Sequence, residues 1–132
     1  MDIYILENNV HDKVFLQAIF SSMIENDSVI FFDDVGSLLD CIKGVDTLDA
    51  VIFDISTDGT GLELIKDLHR ISSADYCPVV IYTHHNHQTT IDAAFDLGVH
   101  SYIIKQLNPT SNIEAITRAI DAIRNSSLGR WG

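Results

Sequence analysis

AVIFDISTDGTG, residues 50–61, is the stretch on which the fold turns. Ala50 to Phe53 form an unbroken apolar, largely β-prone run, Asp54 ends it, and almost every residue from Ser56 to Gly61 is a turn former. A strand without polar alternation suits a sheet covered on both faces, as a parallel sheet in an α/β domain is. An acid where such a strand meets its loop stands at the carboxyl edge of the sheet, where open α/β folds place their ligands. Taken alone, Asp54 reads more readily as a turn cap or solvent-facing acid than as a site residue. The other strand ends discriminate between these readings.

Towards the N-terminus, DIYIL at 2–6 predicts a first strand, followed at once by Glu7, Asn8 and Asn9. From His11 to about Glu25, apolar residues at Val14, Phe15, Ala18, Ile19, Phe20 and Met23 recur at helical spacing, and Asn8 or Asn9 can cap the helix. Ser28 to Phe32 predict a second strand ended by the turn or cap acids Asp33 and Asp34. Val35 to Ile42 predict a short helix closed by Gly44. Towards the C-terminus, Leu62, Ile65 and Leu68 mark a third helix, and Val79 to Tyr82 a fourth strand followed by Thr83. A polar loop then leads into a helix from about Gln88 to Leu97, packed through Ile91, Ala94 and Phe95 and ended by Gly98. His100 to Ile104 predict a fifth strand with Lys105 just beyond it. Ile113, Ile116, Ile120 and Ile123 stripe a last helix, and NSSLGRWG at 125–132 carries no periodicity. The expected division is a domain at 1–124 and a tail or linker start at 125–132. Regular alternation of strand and helix specifies a parallel sheet with right-handed crossovers.

Composition narrows the function. At 132 residues the chain is expected to form one domain. Nineteen acids against eight bases give a formal charge of -11, which repels phosphate backbones and anionic membranes and favours a divalent cation or a basic partner. Neither direct nucleic-acid binding nor a membrane role is expected. With no signal peptide and no apolar stretch near the length of a span, a cytoplasmic location is expected. Cys41 and Cys77 lack CxxC spacing and read as reduced thiols.

If the strands are parallel, Glu7, Asn8, Asp54, Thr83 and Lys105 share one sheet edge. Anionic and amide oxygens there can hold a hard cation such as magnesium. A carboxylate with a cation and an ammonium beside it is suited to attack on phosphorus, because both neutralise charge on the transferring group. The alternative assigns Glu7 and Asn8 to capping, Thr83 to backbone bonding and Lys105 to solvent.

In its succession of ILEN, IFD, VVIYT and LGVHSYIIK, the chain resembles the receiver domain of two-component response regulators across residues 1–122. The resemblance implies a doubly wound, five-stranded parallel sheet of order 2-1-3-4-5 flanked by five helices, a flavodoxin-like three-layer sandwich. It further implies that Asp54 accepts a phosphoryl group from a histidine kinase or phosphotransfer protein. Magnesium would be held by Glu7, Asn8, Asp54 and the Ser56 carbonyl, with Thr83 as switch hydroxyl, Lys105 as the family's lysine and Tyr102 as the aromatic that follows Thr83. Such a domain receives and hydrolyses its own acyl phosphate, which is not enzyme action in the ordinary sense. It signals to a downstream protein or an output domain outside this sequence, and dimerises in many members through helix 4, strand 5 and helix 5.

Several residues depart from the family pattern. Asn8 stands where a second carboxylate is usual, so magnesium affinity should fall. Asp58 replaces a proline, and the loop after Asp54 is one residue short. Gln106 replaces the proline after the lysine, and a trans bond is expected there because a cis bond before a non-proline residue is costly. His84 and His85 fall where side chains influence access to the phosphoryl pocket or dephosphorylation. His84, His85 and His87 otherwise read as incidental residues of a polar loop, or as donors of a metal site lacking a fourth ligand. Two functions therefore stay open: a phosphoacceptor switch, and a degenerate receiver that binds protein without phosphorylation. A small flavin-binding domain is disfavoured, since the first loop lacks a Ser/Thr/Gly-rich phosphate cradle.

Overall fold

The computed structural model describes residues 1–23, 28–45, 49–56, 61–71 and 77–129. Asp58 and Trp131 lie outside these. Ten elements alternate along the chain: β1 (Asp2–Leu6), α1 (Val10–Met23), β2 (Ser28–Phe32), α2 (Val35–Lys43), β3 (Ala50–Phe53), α3 (Glu63–Ile71), β4 (Val79–Thr83), α4 (Gln88–Asp96), β5 (Ser101–Ile104) and α5 (Pro109–Gly129). All neighbouring strands are parallel, in the order β2-β1-β3-β4-β5. This is the doubly wound, flavodoxin-like arrangement that the family resemblance implies. Helix α5 continues to Gly129, so residues 125–129 are helical.

Side-chain alternation along each strand sorts the core into two layers. Ile3, Ile5, Ala50, Ile52, Val80, Tyr82 and Ile103 pack with Leu16, Ile19 and Phe20 of α1 and with Ile116, Ala119, Ile120 and Ile123 of α5. The alternate residues Tyr4, Leu6, Val51, Phe53, Val79 and Ile81 pack with Leu38 and Ile42 of α2, with Leu64, Ile65 and Leu68 of α3, and with Ala94 of α4. β3 and β4 are buried along their whole length, as their unbroken apolar runs require. Caps follow the local sequence: Asn9 Oδ1 accepts from Asp12 N at 3.0 Å to start α1, and Asp34 Oδ1 accepts from Ser37 N at 2.8 Å to start α2. Gly98, with φ of 90°, occupies the left-handed turn after α4 that side chains disfavour.

Helix α1 is rotated relative to the face its periodicity suggests. Val14 is 58% exposed and Ala18 is exposed, while Leu16, Ile19 and Phe20 are buried. Apolar residues occur on both sides of this helix, so spacing alone does not choose the inward side. The stripe that turns in begins with Asp12, one helical turn before Leu16. Phe95 and Ile113, expected in the core, are 49% and 40% exposed, while Ala94 and Ile116, expected there too, are buried.

Ile120 is fully buried between α5 and the sheet. Ile120→Ala should lower unfolding stability by about 2–5 kcal/mol, seen as a lower urea midpoint at unchanged slope.

Candidate functional site

Strand register and alternation together build the site. Leu6 of β1 lies beside Phe53 of β3, Phe53 beside Ile81 of β4, and Thr83 of β4 beside Ile104 of β5. One step further, Glu7, Asp54 and Lys105 continue the residue series that faces α1 and α5, as does Tyr82. Thr83 and Tyr102 belong to the opposite series, and Tyr102 packs against the α2–α4 layer. The acids and the lysine therefore converge on one side of the carboxyl edge.

At the centre is the ammonium of Lys105, whose side chain is 3% exposed. It donates to Glu7 Oε1 at 3.1 Å, Asp12 Oδ2 at 2.7 Å and Asp54 Oδ2 at 2.8 Å. An ammonium has three donors, so all of its hydrogen-bonding capacity is used. The ring of Tyr82 lies below it, 5.0 Å from Nζ to the centroid, adding a cation–π contact. Burial pulls the Lys105 pKa down, but the hydrogen bonds to Asp12 and Asp54 and the charges of Glu7 and Asp54 outweigh it, and the pKa is raised.

The other oxygen of Asp54 is equally occupied. Oδ1 accepts from Ser56 N at 2.9 Å, Ser56 Oγ at 2.6 Å and Thr83 Oγ1 at 2.7 Å. Burial pushes the Asp54 carboxyl up, while hydrogen bonds from Lys105, Ser56 and Thr83 more than offset this and lower its pKa to about 2. Asp54 is thus an ionised carboxylate held at both oxygens. Glu7 differs: burial dominates over the attraction of Lys105, and its pKa is raised. Burial, with the charge of Asp12 next, pushes the Tyr82 hydroxyl up to about 12, so it stays protonated across the physiological range.

Around this centre, Thr83 is fully buried. The Tyr102 hydroxyl donates to the His85 carbonyl at 2.8 Å, and His85 N donates to Thr83 Oγ1 at 3.4 Å, which links Tyr102 to Thr83 through the loop after β4. His84, His85 and His87 are exposed, with the His85 and His87 ring centroids 6.5 Å apart. Beyond Lys105 the bond to Gln106 is trans, as expected. The Gln106 backbone is clamped by Asn112, whose Oδ1 accepts from Gln106 N at 2.9 Å and whose Nδ2 donates to Gln106 O at 3.0 Å.

The sequence profile of the response regulator receiver domain matches residues 8–117. The chain belongs to this family. Solved structures agree in fold: a signal receiver domain of a histidine kinase from Clostridium thermocellum shares 19% identity at a TM-score of 0.75, covering 90% of this chain and 96% of that one. A response regulator of red-light signalling in R. palustris shares 20% identity at a TM-score of 0.74, covering 87% of each chain. RcsB from Salmonella enterica serovar Typhimurium, bound to promoter rprA with the phosphomimetic BeF3-, shares 22% identity at a TM-score of 0.72, covering 89% of this chain and 67% of that one. Comparison with curated protein sequences gives no significant match.

Within this receiver domain, Glu7, Asp54, Ser56, Thr83 and Lys105 come together, whereas Asn8 is exposed. The hard oxygen donors suit magnesium chemically. In this structure both Asp54 oxygens and Glu7 Oε1 are engaged by internal donors, which a magnesium ion would have to displace. Among the described residues, no group of three or more His, Cys, Asp or Glu is placed to hold a metal ion. Ser56 serves Asp54 through its N–H and hydroxyl. Three contributors were not apparent from strand ends. Asp12 and Asn112 lie on helices, and Tyr82 reads as an ordinary core residue. The stripe Asp12, Leu16, Ile19 could have revealed Asp12 as an inward acid.

Because the Asp54 pKa is lowered from 3.8 to about 2, its ionised form contributes stability above pH 4 that is lost as pH falls toward 2. The difference in Tm between wild type and Asp54→Asn should therefore shrink over that interval, measured by thermal unfolding at successive pH values.

Proposed function

We propose that this receiver domain is a phosphoacceptor switch that takes a phosphoryl group on Asp54 from a histidine kinase or phosphotransfer protein. The observation that carries the reading is an ionised, pre-oriented Asp54 carboxylate between a buried ammonium and a buried hydroxyl. A carboxylate oxygen of Asp54 attacks phosphorus, and the bond from phosphorus to the donor nitrogen breaks as the acyl phosphate forms. Lys105 then exchanges a carboxylate contact for a phosphoryl oxygen, which stabilises charge on the transferring group. Thr83 moves its hydrogen bond from Asp54 Oδ1 to the same group, and its link through His85 carries the change to Tyr102.

Tyr102 lies on β5, between α4 and α5. Exposed Phe95 and Ile113 on those helices supply apolar contact for a downstream protein or a second copy through the α4–β5–α5 surface. An output domain elsewhere in the natural protein is an equivalent recipient. We take His84 and His85, exposed beside Thr83, as modulators of access or dephosphorylation. With a kinase as donor, we assign the domain to the cytoplasm; among the described residues no helix is long and apolar enough to cross a membrane. Direct contact with nucleic acid is disfavoured by the charge of -11.

One observation favours a second reading, a phosphorylation-independent interaction module. Five hydrogen bonds from within the chain, counting those at Ser56, Thr83, Lys105 with Asp54 and Lys105 with Glu7, engage the oxygens that magnesium and a phosphoryl group would require. Magnesium, if bound, would compete with Lys105 and bind weakly.

Incubation with acetyl phosphate and magnesium should add one phosphoryl mass to the wild-type chain and none to Asp54→Ala, read by intact mass spectrometry. Absence of the adduct from a folded wild-type chain selects the interaction module. Asn8→Asp should tighten magnesium binding several-fold by calorimetric titration, because it adds a charged oxygen donor. Unchanged affinity would show that position 8 does not serve the site.

A further inference from the structure

Of the three carboxylates around Lys105, Asp12 stands apart. It comes from the first turn of α1 and not from a strand end, and its contact, at 2.7 Å, is the shortest of the three. Its side chain is 25% exposed, against 3% for Glu7 and 8% for Asp54. Asp12 is therefore the partner on the solvent side of the ammonium. The inner two contacts hold the buried ammonium, and breaking either would strand a buried carboxylate. Water can resolvate Asp12 when its contact is released. The N–H donated to Asp12 is thus the one that Lys105 can give up at least cost to an oxyanion arriving from outside.

We propose that Asp12 is a positioning residue that acts through Lys105: it occupies the outward N–H of the ammonium and competes with the phosphoryl group for it. The inference deepens the reading of Asp54 as phosphoacceptor and rests on it. Asp12 thereby holds Lys105 in register with Asp54 while weakening its hold on an entering phosphoryl group.

Two measurements on wild type, Asp12→Asn and Asp12→Ala test this, with folding checked from the amide spectrum. The first is exchange of the Lys105 Nζ protons with water by nitrogen-15 NMR. Exchange should be slow in wild type and at least several-fold faster in both variants, because the third N–H then faces solvent. The second is titration with beryllium fluoride plus magnesium, followed at the Ser56 and Thr83 amides. Affinity should rise on the order of tenfold in both variants, in keeping with the strength of a hydrogen bond between charged groups. Asp33→Asn is the charge control, since it removes an exposed acid paired with Lys13 without touching Lys105. It should leave affinity unchanged. Unaltered Nζ exchange, equal or weaker affinity in the Asp12 variants, or equal tightening by Asp33→Asn would each overturn the role of Asp12 and leave the phosphoacceptor reading standing. No binding by any of the folded chains would overturn both.

Discussion

The buried ammonium of Lys105 is the constraint on which the carboxyl edge depends. Removing an ammonium from water costs several kcal/mol unless opposite charge and hydrogen bonds compensate. Here each of the three N–H groups meets a carboxylate and the ring of Tyr82 lies beneath. The partners come from different parts of the chain: Glu7 after β1, Asp12 in α1, Asp54 after β3 and Tyr82 in β4. One side chain thereby ties four segments together. Because three acids share one ammonium, the cluster remains negative overall, and it stays sensitive to any further cation or anion that enters.

The same geometry divides the labour of Asp54 between its two oxygens. Oδ2 belongs to the charged cluster facing α1 and α5, while Oδ1 reaches Ser56 and Thr83. Thr83 belongs to the residue series that faces α2, α3 and α4, as does Tyr102, so Asp54 is the point where the two sides of the sheet meet chemically. Thr83, which donates to Oδ1, is joined to Tyr102 by hydrogen bonds through the loop after β4. Asn112 contributes from α5 by fixing both backbone groups of Gln106, which sets the direction in which the chain leaves Lys105. That clamp supplies order where a proline ring would otherwise restrict the backbone.

Much of the fold was legible because apolar runs, turn residues and helix stops agree at every junction. The unbroken runs of β3 and β4 required cover on both faces, and Asp34 and Asn9 cap helices as their side chains permit. The site was legible where its residues sit at strand ends, as Glu7, Asp54, Thr83 and Lys105 do. It was not legible on α1, where apolar residues on both sides left the rotation undetermined and Asp12 looked like a surface acid. Asn8 follows Glu7 at the end of β1 and is exposed in the fold.

By itself, the sequence determined the alternation of strands and helices, the acidic character of the chain and the row of chemical groups at strand ends, because these follow from local periodicity and composition. The strand order came from likeness to a family. Only the tertiary structure decided which carboxylates meet Lys105, because that depends on strand register, on the side to which each residue alternates and on the rotation of α1. Those are long-range packing choices, made by burial of Leu16, Ile19 and Ile120 against the sheet, and no local stretch encodes them. The strand ending in Asp54 announces a site; packing determines that its carboxylate is held from both sides.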